Sequence, residues 1–141
     1  MTLKERMTTR KIGAAVAVVA AAAGVVFAAE PASAAYPTST FDITYGASYY
    51  RGTVTWYNRS VGVAGTFKAT GCRRVYASAW AGSTRLDYQS SSTHCDSTTS
   101  APFSLSADVS GGAGEVDLWM TDGTGQALKG VICHRGVSAC S

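Results

Sequence analysis

The sequence predicts an all-β fold, an antiparallel two-sheet β-sandwich of about eight strands. Three observations predict it. After the first thirty-odd residues no helical period of useful length occurs, whereas period-two alternation recurs in short segments. Turn residues such as Gly46, Asn58-Arg59, Gly82-Ser83-Thr84 and Asp122-Gly123-Thr124-Gly125 punctuate those segments. Thr, Val and Tyr dominate the segments themselves, and β-branched and aromatic side chains suit a pleated, half-buried surface.

The opening residues are of another kind. Lys4, Arg6, Arg10 and Lys11 make a basic leader, and Ile12 to Ala29 is uncharged and rich in Ala and Val. Glu30 and Pro31 break the run ahead of Ala32-Ser33-Ala34, a signal-peptidase site of small residues. A cleaved secretory signal peptide is expected over residues 1–34, with residues 35–141 as one mature domain. A retained membrane anchor is the weaker reading, because Ala is only weakly hydrophobic and the peptidase site follows at once. The leader resembles those of small secreted proteins of high-GC Gram-positive bacteria. The expected location is therefore secreted and extracellular.

The strands follow in order. Phe41, Ile43 and Tyr45 alternate with Asp42 and Thr44. Val54 and Trp56 alternate with Thr53, Thr55 and Tyr57. Val61, Val63, Phe67 and Ala69 share a face with Gly65, which marks a bulge or a close crossing. Val75, Ala77 and Ala79 oppose Tyr76, Ser78 and Trp80. Leu86 and Tyr88 form a short strand, Phe103 and Leu105 another with Val109 near its end. Val116, Leu118 and Met120 precede the last hairpin, whose return runs from Gln126 to Cys133. Short strands at this spacing resemble an immunoglobulin-like sandwich. The Cys…Trp…Cys signature of immunoglobulin domains is absent, so the resemblance covers architecture and carries over no functional residue.

Cys72, Cys95, Cys133 and Cys140 all lie in the mature part, and an even count in a small exported domain reads as two disulfides. Pairing Ala81 with Leu86 across a four-residue loop sets Trp80 opposite Asp87, Val75 opposite Ser92 and Cys72 opposite Cys95. Directly opposed residues in an antiparallel pair have Cα atoms ~4.5 Å apart, within disulfide reach. Cys72–Cys95 is therefore favoured, leaving Cys133–Cys140 to clip the tail onto the last strand. In the last hairpin, pairing Thr121 with Gln126 puts Trp119 opposite Leu128, on the face away from Met120, Leu118 and Val116.

Eight basic and seven acidic residues leave the mature chain near +1, without the basic stripe that nucleic acid or an anionic membrane requires. No metal or other cofactor is expected. His94-Cys95 and Cys133-His134 would suggest a zinc site or a Cys–His nucleophile only if the thiols were free. No G-x-S-x-G elbow is present, and Ser90 to Ser100 reads as a polar loop. Glu115 and Asp117 share a strand face and are the one candidate carboxylate pair. The binding candidates are Trp80, Tyr76 and Trp119, aromatic residues on an outer face. Trp56, Tyr49, Tyr50 and Tyr57 could extend such a platform, or could fill the core. The expected function is a small secreted non-enzymatic binding module for cell-wall material, polysaccharide or a protein partner. The alternative is a secreted inhibitor of a protease or glycosidase that presents a rigid loop such as Ser90 to Ser100. A small hydrolase comes third.

Overall fold

In the computed structural model, which describes residues 35–141, the chain forms eight strands. They are β1 (Thr38–Tyr45), β2 (Ser48–Trp56), β3 (Ser60–Ala81), β4 (Thr84–Ser90), β5 (His94–Ser100), β6 (Phe103–Ser106), β7 (Glu115–Asp122) and β8 (Ala127–His134). The expected signal peptide lies outside the described residues. Every pairing between these strands is antiparallel, and hydrogen bonds join all eight into one sheet.

One continuous sheet, in place of two separate ones, follows from β3. It is 22 residues long, against about 5–6 for a common strand. The alternation predicts two strands here, Val61–Ala69 and Val75–Trp80, but the backbone runs through both. Along one edge β3 pairs first with β2 and then with β7; along the other it pairs with β6, β5 and β4 in turn. A register shift between Ala69 and Cys72 marks the join. Gly71 there has φ 75, and the facing Asp96 has φ 48. Asp is one of the few side chains that tolerates this region, and its carboxylate accepts the Gly71 N–H at 2.7 Å. An irregularity of this kind bends a strand and raises its twist. The two halves of β3 thus wrap the sheet around one core, and the result is nearly a barrel.

The C-terminal tail closes the seam between β1 and β8. Thr40 N–H donates to Ser138 O at 2.8 Å, and Cys140 N–H donates to Thr40 O at 2.9 Å. Ile132 and Ser141 exchange backbone bonds of 2.8 and 3.1 Å. The Cys133–Cys140 disulfide holds the tail in place. Two edges that would otherwise stand open are covered in this way.

The core takes every second residue. Ile43, Tyr50, Val54, Trp56, Val61, Phe67, Val75, Leu105, Val116 and Met120 are all fully buried. The polar atoms of its large aromatics are satisfied. Trp56 Nε1 donates to Ser39 Oγ at 2.9 Å, and the Tyr50 hydroxyl donates to Ala101 O at 2.6 Å. Burial pushes the Tyr50 hydroxyl pKa up. Of the two readings of Gly65, the close approach is the one found. A Cβ there would stand 2.6 Å from the Tyr50 ring and 3.0 Å from that of Phe41.

Two registers differ from expectation. Ala81 pairs with Thr84, not Leu86, across a two-residue turn in which Gly82 has φ 62. Tight hairpins favour such turns because their twist matches that of the strands. A further shift between Ala79 and Trp80 sets Tyr76 against Ser90 and Ser78 against Tyr88. The chain then leaves the ladder and returns as β5, where Cys72 faces Cys95 and is bonded to it. The cysteine pair is thus reached through two register changes rather than one uniform ladder. In the last hairpin Trp119 faces Gly130 rather than Leu128. From Met120 back to Glu115 that slip is of two residues, so those side chains keep their faces; at the turn, where Thr121 faces Ala127, it is of one.

Candidate functional site

The outer face of β4, β3, β7 and β8 carries the bulk that β3 leaves out of its second interior half. Because Val75, Ala77 and Ala79 point inward, Tyr76, Ser78 and Trp80 point outward. Tyr76 lies between Ser90 on β4 and Trp119 on β7. The Tyr76 and Trp119 rings are stacked, with centroids 5.2 Å apart and planes 3° from parallel. Tyr88 leans on both, at 6.1 Å from Tyr76 and 6.0 Å from Trp119. Three rings on three adjacent strands therefore form one surface. Tyr88 is 45% exposed, and Tyr76 and Trp119 are half-buried.

Small neighbours make room for this surface. Trp119 faces Gly130, where a Cβ would come within 2.9 Å of the Trp119 Cβ. Ser78 separates Tyr88 from Asp117 in the cross-strand row. Cations rim the β4 side. The Arg74 guanidinium lies 5.3 Å from the Tyr76 ring centroid, and that of Arg85 lies 4.8 Å from Tyr88. Arg74 is also tied down, donating to Ser91 O at 2.7 Å and Ser90 Oγ at 2.9 Å.

Acids rim the β7 side. Asp117 faces Ser78 and Ile132, and Glu115 faces Trp80 and His134. Burial, then the hydrogen bond and charge of the Glu115 carboxyl, push the Asp117 carboxyl up to about 6; the charge of His134 opposes them. Asp117 Oδ1 is shut from solvent and has no hydrogen-bond partner. Ion pairs among the described residues lie elsewhere, Arg51–Asp42 at 3.4 Å and Arg59–Asp108 at 2.9 Å.

Of the aromatic residues singled out in the sequence, Tyr76 and Trp119 come together in the stack. Trp80 shares their face but stays outside it, its indole donating to Ser78 Oγ at 2.9 Å. Tyr88, not chosen as a binding residue, completes the surface. Trp56 and Tyr50 are core residues. Tyr49 packs under Arg51 at 3.9 Å, and Tyr57 meets Tyr36 edge-on at 4.8 Å.

The other candidates are dispersed. All four cysteines are in disulfides. His94 lies edge-on to Phe67 at 5.6 Å and within 3.3 Å of Ser92 Oγ. Residues 94–100 of the expected polar loop form β5. A hollow of about 230 Å³ lies between Lys68–Thr70 and Asp96–Thr98, beside the bend of β3 and away from the rings. The described residues contain no group of three or more His, Cys, Asp or Glu side chains placed to hold a metal ion. Compared with family models, with curated proteins and with solved structures, the chain shows no match.

Proposed function

We propose that the chain is an exported, non-enzymatic binding module that takes a polysaccharide on the outer face of β4, β3 and β7. The observation that carries this reading is the Tyr76–Trp119 stack, its planes 3° from parallel, with Tyr88 beside it on the third strand. A sugar ring presents a flat C–H face and a hydroxyl rim. The former packs on exposed aromatic faces, and the latter needs donors and acceptors around them. Arg74 and Arg85 on one side, with Asp117 and Glu115 on the other, supply both kinds of group.

The scaffold suits this task. Two disulfides and a closed seam hold the strands, so little side-chain and backbone freedom remains to be lost on binding. Both disulfides fit an extracellular protein, and the basic, Ala-rich leader supports a bacterial secretory route. The bend of β3 supports reading the sheet as a flattened, immunoglobulin-like sandwich with that strand shared between its layers.

Co-sedimentation with insoluble polysaccharides, together with tryptophan fluorescence on soluble oligomers, tests the proposal. The wild type should co-sediment with at least one polymer. Trp119→Ala and Tyr76→Ala should each weaken binding about tenfold, about 1.4 kcal/mol. A wild-type protein that stays in the supernatant over neutral, acidic and amine-bearing polymers overturns it.

A further inference from the structure

We propose that the polysaccharide taken by this face is amine-bearing, a polymer of N-deacetylated hexosamine whose ammonium groups pair with Glu115 and Asp117. The inference rests on the polysaccharide reading above and names the ligand class. Trp119, Asp117 and Glu115 stand on one face of β7, two residues apart each. Successive same-face side chains on a strand are about 6.5–7 Å apart. A chain of sugars that stacks on Trp119 and runs along β7 therefore carries its next substituents over the two carboxylates.

Charge decides which substituents fit. The Glu115 and Asp117 carboxyls are hydrogen-bonded to one another, so at mildly acidic pH they share a proton and carry one negative charge between them. Among the described residues neither acid has an Arg or Lys within ion-pair distance. Of the groups that face them, only His134 can carry a positive charge, and among the described residues it forms no ion pair with either acid. Ser78 and Trp80 come from β3, and Ser78 Oγ already accepts from the Trp80 indole. Ile132 and His134 come from β8. Arg74 and Arg85 lie over the tyrosine rings. Asp117 Oδ1 is shut from solvent, so a ligand meets this pair through its other carboxyl oxygens. An ammonium brings three N–H donors on a compact cation, enough to bridge both carboxylates. The adjacent ring faces of Trp119 and Tyr76 attract the same charge. A polymer bearing carboxylates would meet the two acids as like charge, and an N-acetylated polymer would bring no charge to them.

The test is a fluorescence titration of the mature wild-type protein with the hexamer of β-1,4-linked glucosamine and with its N-acetylated counterpart, at mildly acidic pH and low salt. The glucosamine hexamer should bind about tenfold more tightly, and rising salt should erase most of that preference. Glu115→Gln with Asp117→Asn should remove the preference, so that the two hexamers bind alike, with an unchanged near-ultraviolet circular dichroism spectrum. Trp119→Ala should weaken both hexamers. Equal binding of the two wild-type titrations, or tighter binding of the N-acetylated hexamer or of a uronic acid oligomer, overturns the inference and leaves the polysaccharide reading standing. A preference that persists in high salt overturns it without recourse to any variant. Failure of every polymer removes the parent reading instead.

Discussion

The two halves of β3 put their bulk on opposite sides. In the first half Val61, Val63 and Phe67 point inward against Trp56, Tyr50 and Phe41, while Gly62, Ala64, Thr66 and Lys68 face out. In the second half Val75, Ala77 and Ala79 point inward, and the large rings of Tyr76 and Trp80 face out. The period is two in both. The difference teaches that alternation marks a strand without saying where its large side chains are spent. The second half closes its interior with Val116, Leu118 and Met120 of β7, so its outer rings are not needed there. An aromatic surface that the core does not require points to an interaction surface.

That contrast breaks most sharply by truncating one tryptophan from each half. Trp56→Ala removes a fully buried ring with a satisfied indole and should cost about 3–5 kcal/mol of stability. Trp119→Ala removes a half-buried ring from the outer face and should cost about 1 kcal/mol, while abolishing most polymer binding. Urea unfolding of the two variants measures both. Losses of equal size would show that the outer ring is structural after all.

A smaller effect separates the seam from the aromatic face. The tail bridge joins residues only 7 apart. A loop this short contributes about 2 kcal/mol in the chain-entropy account. Cys133→Ser with Cys140→Ser should lose about that much. Amide exchange should rise at Thr40, Ile132 and Cys140, whose backbone groups close the seam. The ladder between β3 and β7 should stay protected, and glycan affinity should stay within about twofold, well under 1 kcal/mol. Exchange that rises equally at Tyr76 and Leu118 would show that the barrel opens as a unit.

Much of this fold was legible, because burial imposes period two wherever one face is covered. Phe41, Ile43, Val54, Val61, Val116 and Leu118 announce their strands in this way. β5 does not, since almost all its side chains are exposed. It is held by backbone bonds to β3 and by the Cys72–Cys95 bridge, neither of which leaves an apolar pattern. The strand count of eight survives only because this unannounced strand offsets the merging of two expected ones into β3. Tyr88 shows the cost of a register error. A uniform ladder from Ala81 and Leu86 sets Tyr88 opposite Ala79 on the core face; the observed ladder sets it opposite Ser78 on the outer one. One residue of slip is enough to hide a member of the site. Trp119 tolerated its own misregister because the slip was even.

Asp117 gives the smallest effect and the one that joins the comparison to chemistry. Three acids bear on the ends and rim of this region, and their surroundings differ. At Asp122, the Thr124 hydroxyl and the Gln126 and Thr124 backbone N–H groups hold the carboxyl below its ordinary value. At Asp87, burial raises the carboxyl, but the N–H groups of Ser106 and Tyr88 and the Gln89 amide outweigh it and bring it lower. Asp117 has burial and Glu115 against it, with only His134 in its favour, and stands at about 6. An unfolded Asp titrates near ~3.9. From about pH 4 to about 6 the folded protein keeps a proton that the unfolded chain has released, so this group's contribution to stability falls as pH rises through that window. Asp117→Asn removes the dependence. The variant should match the wild type below about pH 4 and gain on it up to neutrality, by about 1 kcal/mol at most because the site is half-exposed and screened. Thermal unfolding across that range measures the gap. An ammonium ligand should reverse the sign of the local field: with the glucosamine hexamer bound, the carboxyl resonance of Asp117 should titrate at lower pH than in the free protein. A gap that does not change with pH, or a resonance unmoved by the hexamer, would place Asp117 outside the surface that the second half of β3 presents.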